Sequence, residues 1–230
     1  KELGVDLVIE STGFFTSSDK ARAHLDAGAR HVVITAPATG DVETLLVGVN
    51  DSGFKNAGPL TCNASCTTNS VAPVMAIMLE KFGIKKAELV TVHGYTATQK
   101  LVDGPDGKDM RRGRAAAVNI VPSTTGARDA VIQSLPELKG KFDAMSVRVP
   151  TITGSLSVMS ILSERETSAE EVNETFRKAA RESRWEKILK VTEDPVVSTD
   201  IIGEPYGAIM DVTLTKVIGE HLESLYVMGS

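Results

Sequence analysis

Cysteine is scarce in this chain of 230 residues, which contains only Cys62 and Cys66. Two cysteines do not make a disulfide scaffold and fit a reducing compartment best, so a cytoplasmic location is expected. Long apolar runs are also missing. The longest, from Val71 to Leu79, contains Pro73 and is less than half of the roughly 20 residues that a membrane-spanning helix needs. A disulfide-rich module and a membrane span are therefore not expected.

An excess of basic charge is absent as well. The chain has 25 Lys and Arg residues against 30 Asp and Glu residues, a formal net charge of −5, so no overall affinity for nucleic acid is indicated. The one basic stretch, residues 108–114, has no interleaved aromatic residues and is better explained as a solvated or phosphate-handling loop. A composition of 42% hydrophobic and 24% charged residues excludes a disordered tail or a collagen-like fibre.

Short apolar runs and one helical segment alternate in the first 65 residues. A helix is predicted from Ser17 to Gly28, and the strands are predicted at residues 6–10, 31–35, 44–50 and 60–65. Near-continuous apolar strands separated by a helix are typical of a parallel sheet covered on both faces. The first part of the chain is therefore predicted to be a parallel α/β sheet.

Longer segments follow from Cys66, where a helix running to about Phe82 is predicted. The other predicted elements are strands at 87–93, 142–149 and 155–162 and helices at 124–135 and 168–183. The last helix begins with the capping box Ser168-Ala-Glu-Glu171. Residues 98–122 are predicted to form one long ordered loop, and a loop of that length in a compact domain is usually functional.

The stretch Asn63-Ala-Ser-Cys-Thr-Thr-Asn69 carries the most specific chemical signal. A cysteine between a strand and a helix lies at the positive end of the helix dipole, which favours its thiolate form. The hydroxyls of Ser65 and Thr67 can cap the helix and help to bind an anion. A buried structural cysteine is the ordinary alternative, but these polar neighbours argue against it at Cys66.

His93 ends an apolar strand and is the second candidate for chemistry. A neutral imidazole near Cys66 would take the thiol proton and later handle a hydroxyl proton. The other three histidines have no comparable setting and are expected to be core or surface residues: His24, His31 and His221. Cys62 is expected to point inward from its strand, although a redox pair with Cys66 stays open. Two cysteines alone make no zinc site, so no metal is expected.

Five motifs occur in an order and spacing that together resemble the phosphorylating glyceraldehyde-3-phosphate dehydrogenases. They are Glu10-Ser-Thr-Gly13, Ala64-Ser-Cys-Thr-Thr-Asn69, Val92-His-Gly-Tyr-Thr-Ala-Thr-Gln99, Arg111-Arg-Gly-Arg-Ala-Ala-Ala117 and Val147-Arg-Val-Pro-Thr151. The resemblance implies that residues 1–65 are the C-terminal part of a doubly wound, parallel NAD-binding (Rossmann) sheet. It implies that residues 66–230, including the loop 98–122, form an α+β catalytic domain with a mostly antiparallel sheet.

The resemblance also implies a reaction. In that family a cysteine attacks the aldehyde of glyceraldehyde 3-phosphate, the hemithioacetal loses a hydride to NAD, and inorganic phosphate releases the resulting thioester as 1,3-bisphosphoglycerate. Carried over by position, Cys66 is the nucleophile and His93 the base and later the acid. The expected setting is glycolysis, although the reaction is reversible.

Further site residues follow from the same resemblance. The substrate phosphate is assigned to Thr96 and Arg148. The attacking phosphate is assigned to Ser65, Thr67, Arg112, Thr125 and Gly126. The cofactor is assigned to Thr12, Gly13 and Thr35. A homotetramer is implied as well, since the loop matching 98–122 packs against a neighbouring subunit in that family.

Both ends of the chain depart from the family. No Gly-x-Gly-x-x-Gly loop occurs, and the half-domain that carries it, roughly 85 residues in the family, is absent. The chain opens at Lys1 without a methionine, and its end, from His221 to Ser230, lacks the family's Trp-Tyr-Asp-Asn-Glu. A partial record is expected rather than a degenerate relative, and exposed strand edges should follow.

Several functional alternatives stay open. An erythrose-4-phosphate dehydrogenase or an NADP-using enzyme would share the chemistry. A cofactor-free thiol enzyme could use Cys66 and His93 to hydrolyse esters or acyl phosphates. A non-catalytic interaction module could use the sheet and the loop 98–122 instead.

Overall fold

A parallel four-stranded sheet forms the first part of the computed structural model, which describes residues 2–107 and 109–229. Its strands are β1 (Leu7–Glu10), β2 (His31–Ile34), β3 (Glu43–Thr44) and β4 (Leu60–Cys62), and helix α1 spans Ser18–Asp26. The strand order is β1-β2-β4-β3, and every pair is parallel. The predicted parallel α/β sheet is therefore confirmed.

One face of the β1 strand is open. Leu7 and Ile9 are 52% and 65% exposed, and β1 pairs with β2 alone among the described residues. The small core of this sheet lies elsewhere, around Ala21, Val32 and Ile34. The predicted covering of both faces is thus wrong for β1, whereas the expected exposed strand edge is present.

The strand predicted at residues 44–50 is wrong for all but its first residue. The chain turns after Thr44 because Asn50 bonds back across the turn, accepting from the Leu46 N–H (2.8 Å) and donating to the Thr44 carbonyl (2.8 Å). Gly48 has a positive φ of 81°, which a strand does not allow. The apolar pattern was right about burial, since Leu45 and Leu46 are buried, but not about conformation.

A mixed eight-stranded sheet forms the second part of the chain. The elements are α2 (Cys66–Phe82), β5 (Ile84–Gly94), β6 (Val121–Ser123), α3 (Ala127–Ser134), β7 (Phe142–Val149), β8 (Ser155–Ser163), α4 (Ala169–Ala179), β9 (Leu189–Thr192), β10 (Ala208–Asp211), β11 (Lys216–Ile218) and β12 (Leu222–Gly229). The order is β6-β7-β5-β8-β12-β10-β9, with β11 beside β12. Only β5–β7 and β9–β10 are parallel, so the expected mostly antiparallel sheet is confirmed.

Helix α2 provides the centre of the larger core. It is apolar around most of its circumference, and Met75, Ile77 and Phe82 are almost fully buried. They belong to the same core as Leu89 of β5 and Met159 of β8. Because a helix buried on nearly all sides cannot move independently of its sheet, its first residue is held in a fixed position.

The predicted helices at 124–135 and 168–183 are both shorter in the structure. The first begins at Ala127, whose N–H donates to the Thr125 hydroxyl oxygen (3.1 Å) in a local turn. The second ends at Ala179 and is followed by turns. Its cap is confirmed, since Ser168 accepts from the Glu171 N–H at 3.2 Å. None of the described helices is long and apolar enough to cross a membrane.

The predicted loop 98–122 is tied to itself by backbone hydrogen bonds. Gly104 N–H donates to the Gly113 carbonyl (2.8 Å) and Ala116 N–H to the Lys100 carbonyl (2.9 Å). Two short 3-10 turns lie within it, at Met110–Gly113 and Ala116–Val118, and β6 begins before its end. The ordered character of this loop is therefore confirmed for its described residues.

Candidate active site

Cys66 is the first residue of α2, and the turn before it is held by side chains. Ser65 is the N-cap and accepts from the Thr68 N–H at 3.2 Å. Asn69 donates from Nδ2 to the carbonyls of Asn63 (2.7 Å) and Ser65 (2.9 Å). Ala64, with φ 58°, adopts the left-handed conformation that makes this turn tight. The thiol is thereby presented at the helix N-terminus.

The Cys66 thiol meets the imidazole of His93. Its Sγ lies 3.4 Å from His93 Nε2, while the residue itself is exposed to solvent. The hydrogen bond from His93 lowers the pKa of the Cys66 thiol, the N–H and hydroxyl of Thr67 lower it further, and burial opposes them. A thiolate beside an imidazole and a helix N-terminus is the arrangement of a nucleophile.

Arg148 lies beside His93 because their strands are in register. β5 and β7 run parallel with His93 opposite Arg148, so both side chains emerge on the same face. Arg148 Nη1 is 2.9 Å from His93 Nδ1 and donates to the Gly94 carbonyl at 3.0 Å. Burial lowers the pKa of Arg148, the Cys66 thiolate raises it, and the positive charge of Arg112 lowers it. Two guanidinium groups therefore act on one another near the thiol.

The other predicted phosphate ligands have varied settings. Arg112 is partly buried and lies 3.7 Å from Asp109. The Thr96 hydroxyl is exposed and meets that of Thr98 at 3.0 Å. Thr125 and Gly126 stand just before α3, where Gly126 has open space around the position of a Cβ. The structure gives no direct contact of Thr96, Thr125 or Gly126 with Cys66 or His93, so their roles stay predictions.

The residues predicted to approach a cofactor lie at the carboxyl ends of β1 and β2. The Thr35 hydroxyl donates to Ser11 Oγ (3.1 Å), which links the ends of the two strands. Thr12 bonds Glu10 through both its N–H and its hydroxyl, and that hydroxyl is the main cause of the lowered pKa of Glu10. Gly13 has a φ of 78° and nothing within 4 Å of a Cβ position. Ligands of parallel α/β sheets commonly bind at this edge.

A cavity of about 490 Å³ lies beside Cys66 and is lined by residues from both parts of the chain. Thr35 and Cys66 line it together with Glu204 and Tyr206 from the segment before β10. Glu204 is paired with Lys190 at 2.9 Å. Glu204, Tyr206 and Lys190 were not predicted from the sequence. They are far from Cys66 in the chain and belong to no motif, so only the folded structure places the first two beside it.

Cys62 is buried, as predicted, and its Sγ is 3.4 Å from the Thr44 hydroxyl. Both cysteines are free thiols, so the redox pair that was left open is not formed. Across residues 2–107 and 109–229, no group of three or more His, Cys, Asp and Glu side chains is arranged to hold a metal ion.

Fold and site together define an α/β protein that has a thiol at a helix N-terminus, paired with a histidine on a mixed sheet. The family model described as glyceraldehyde 3-phosphate dehydrogenase, C-terminal domain, matches residues 65–227. The chain belongs to this family.

Individual relatives agree with the family match. The chain is 53% identical over 222 residues to the glyceraldehyde-3-phosphate dehydrogenase of Thermotoga maritima, covering 96% of this chain and 66% of that protein. It is 48% identical over 219 residues to the enzyme of Mycobacterium tuberculosis (95% and 64%) and 44% identical over 218 residues to that of Clostridium acetobutylicum (94% and 64%). The chain thus spans slightly less than two thirds of the length of these relatives.

Proposed function

We propose that this chain carries the catalytic part of an NAD-dependent dehydrogenase that oxidises and phosphorylates D-glyceraldehyde 3-phosphate to 1,3-bisphosphoglycerate. The observation that carries the proposal is the thiol of Cys66, with its lowered pKa, 3.4 Å from His93 and close to the charge of Arg148. A thiolate supplies the nucleophile, an imidazole moves protons, and a guanidinium binds a phosphate.

In the first half of the reaction, the Cys66 thiolate attacks the aldehyde carbon and a C–S bond forms. The carbonyl oxygen becomes a hydroxyl by taking a proton from His93, giving a hemithioacetal. His93 then removes that proton as the hydride leaves the carbon, and a thioester to Cys66 remains. NAD, when bound, accepts the hydride.

In the second half, an oxygen of inorganic phosphate attacks the thioester carbon. The C–S bond breaks, the acyl phosphate departs, and Cys66 returns to its thiolate form. A thioester suits this step because it retains enough acyl-transfer potential for phosphate to react. The hydroxyls of Ser65 and Thr67 and the N-terminus of α2 are well suited to hold the attacking anion.

Two phosphate positions are part of the proposal. We assign the substrate phosphate to Arg148 and Thr96. We assign the attacking phosphate to Ser65, Thr67, Arg112, Thr125 and Gly126. The positive charge of Arg112 lowers the pKa of Arg148, so the two guanidinium groups repel one another. A phosphate bound near both would relieve that repulsion, which supports the assignment of phosphate ligands to these residues.

The residues present fit the nicotinamide end of NAD. The cavity of about 490 Å³ opens directly onto Cys66, and Thr35 lines it. The open space at Gly13 lets a ligand approach the backbone closely. We propose that Thr12, Gly13 and Thr35 hold the cofactor at the carboxyl edge of the parallel sheet. The described residues contain no glycine-rich pyrophosphate loop.

Assembly into a homotetramer is also proposed. The loop 98–122 exposes large apolar side chains that solvent does not favour: Leu101, Val102, Met110, Val118 and Ile120. An exposed apolar set on an ordered loop is typical of a protein–protein contact. A cytoplasmic location is proposed in addition, on the basis of the two free thiols.

The proposal is tested by following NADH formation from glyceraldehyde 3-phosphate, inorganic phosphate and NAD. We expect activity when the chain is joined to a pyrophosphate-binding half-domain, and little or none from the 230 residues alone. Cys66→Ser and His93→Asn should abolish it, whereas the exposed His31→Asn should not. Assays with erythrose 4-phosphate and with NADP separate the sister activities. A burst of ester hydrolysis without NAD, lost in Cys66→Ser, would instead favour the cofactor-free thiol enzyme.

A further inference from the structure

The carboxylate of Glu10 is buried at the end of β1 and is bonded from two sides. Its side chain is only 3% exposed. Oε1 accepts from the N–H (2.8 Å) and the hydroxyl of Thr12, and Oε2 lies 2.8 Å from His24 Nε2. The Thr12 hydroxyl, and to a smaller extent His24, lower the pKa of Glu10, so the carboxyl is ionised at neutral pH. Because a carboxylate can only accept hydrogen bonds, Nε2 carries the proton in this contact.

Glu10 is bonded to both chain segments that we assign to the cofactor. Its carbonyl accepts from the N–H (2.9 Å) and the hydroxyl (3.2 Å) of Thr35, at the end of β2. Its side chain holds Thr12, whose hydroxyl in turn accepts from the Phe14 N–H at 3.2 Å. Gly13 lies between these two bonded residues and has a φ of 78°. The shape of the turn at residues 12–14, here called the cofactor turn, therefore depends on the Glu10 carboxylate.

Packing does not hold the cofactor turn in place. Residues 11–14 are all exposed, and Phe14 is 75% exposed. The hydrogen bonds to Glu10 therefore supply the local order that a hydrophobic core supplies elsewhere in the chain.

His24 supports this carboxylate from a different element. It is in the last turn of α1, outside the lining of the cavity beside Cys66, and its ring packs against that of Phe15 with the centroids 5.0 Å apart. Without the imidazole, Oε2 would lose its donor while the side chain stayed buried. An unpaired buried charge is costly, so the carboxylate would turn toward water or take up a proton, and its hold on Thr12 would weaken.

We propose that Glu10 and His24 are positioning residues for the nicotinamide half of NAD. The imidazole holds the carboxylate, and the carboxylate holds the cofactor turn in the shape that binds. The inference rests on the proposed function, in which Thr12, Gly13 and Thr35 hold the cofactor. Neither Glu10 nor His24 has to touch it. Their contribution is preorganisation, since a turn that is already ordered loses less conformational entropy on binding.

The test is an NMR titration of the full 230-residue chain, labelled with ¹⁵N, with nicotinamide mononucleotide. In the wild type, the amide signals of Gly13 and Thr35 should shift and give a dissociation constant. His24→Asn, with a side chain one bond too short to reach Glu10, should raise that constant about tenfold, the effect of one hydrogen bond to a charged group. His24→Gln, which places an amide N–H at the position of Nε2, should stay within about twofold of the wild type.

Amide hydrogen exchange localises the effect. In His24→Asn the Thr12 N–H, whose acceptor is the Glu10 side chain, should exchange faster. The Thr35 N–H, whose acceptor is the Glu10 main chain, should exchange as in the wild type. Ala21→Gly is the matched control, because it weakens the buried face of α1 without removing a hydrogen bond of Glu10. Its affinity for nicotinamide mononucleotide should be unchanged.

The inference is overturned if His24→Asn binds nicotinamide mononucleotide as tightly as the wild type, or if Ala21→Gly weakens binding as much as His24→Asn does. It is also overturned if the wild-type signals of Gly13 and Thr35 do not respond, a result that needs no variant. The titration involves no turnover. A failure to form NADH would therefore count against the proposed function, whereas unchanged binding in His24→Asn would count against the positioning role alone.

Discussion

Single residues from three distant parts of the chain determine the reactivity of one thiol. Cys66 stands at a helix N-terminus, His93 ends a central strand, and Arg148 comes from the neighbouring parallel strand. Of the described contacts, the hydrogen bond from His93 has the largest effect on the pKa of Cys66. The helix supplies the position of the thiol, and the hydrogen bond from His93 lowers its pKa.

Replacing His93 should therefore slow alkylation of Cys66. In His93→Asn we expect the rate with iodoacetamide near neutral pH to fall about tenfold or more, because the thiolate fraction falls as the thiol pKa rises. The rate measured against pH should show its inflection shifted to higher pH. His31→Asn, a change at an exposed histidine outside the site, is the control. An unshifted inflection in His93→Asn would contradict the assignment.

Glu223 is a buried carboxyl for which the cost of burying the charge outweighs the stabilising effect of nearby His221. Both its oxygens lack a hydrogen-bond partner among the described residues, and burial raises the pKa of the carboxyl. The folded state therefore keeps a proton that the unfolded state releases. Stability is highest below the pKa of the unfolded carboxyl and falls as the pH rises through the raised value.

Glu223→Gln should accordingly increase stability at neutral and alkaline pH, and flatten the dependence of the unfolding free energy on pH. Urea unfolding at a series of pH values measures both effects. Glu220→Gln, at an exposed carboxyl in the turn before β12, is the matched control and should change neither. If Glu223→Gln left the pH dependence as it is, the carboxyl would have the same pKa in the folded and unfolded states, which would contradict the raised pKa.

At the scale of elements, the cap of α2 is both structural and functional. The Ser65 side chain accepts from the Thr68 N–H and meets the Thr68 hydroxyl at 2.8 Å, so it fixes the turn that presents Cys66. Loss of such a cap typically costs about 1 kcal/mol. Since the first turn of α2 carries Cys66, fraying there would also move the thiol.

Ser65→Ala should lower the free energy of unfolding by about 1 kcal/mol, measured by chemical denaturation. Ser17→Ala is the natural comparison, because Ser17 occupies the same cap position in α1 but makes no capping hydrogen bond through its side chain. It should cost only a few tenths of a kcal/mol. Equal losses in the two variants would show that the Ser65 cap bond contributes nothing.

How well each element could be predicted depended on whether its signal was local. Cys66–Phe82 contains the apolar run Val71–Leu79, and Phe142–Val149 lies between Gly140 and Pro150; both were predicted with their observed bounds. The stretch after Thr44 has the same composition as a strand, but Asn50 turns it. Cys66 and His93 were found through motifs, whereas the cavity-lining residues Glu204 and Tyr206 have no local signal and depend on tertiary packing.

On the scale of the whole molecule, the described residues form two main hydrophobic cores. The smaller one contains Val32, Leu60 and Cys62, and the larger contains α2 with Leu89 and Met159. Leu46 and Ala64 precede residue 65 but pack into the larger core. The division into two domains stays a prediction, and core substitutions can examine it.

Leu60→Ala and Met159→Ala are a suitable pair, since both residues are buried and each change should cost about 2–5 kcal/mol. If the cores are separate units, Leu60→Ala should reduce amide hydrogen-exchange protection in β2 and β4 but leave β5 and β8 protected. Met159→Ala should do the reverse. Loss of protection throughout the chain in both variants would mean that the two sheets unfold as one unit.

The parallel pairing of β5 with β7 also has a consequence for folding kinetics. It brings His93 beside Arg148 across 55 residues of chain, and non-local strand pairing of this kind is slow compared with forming local structure. During refolding, α2 and its thiol should therefore form before the residues that activate them. Helical circular dichroism should recover first, and the fast reaction of Cys66 with iodoacetamide should return only when β5 has paired. The rate at which Cys66 reacts with iodoacetamide during refolding thus reports when β5 pairs within the sheet.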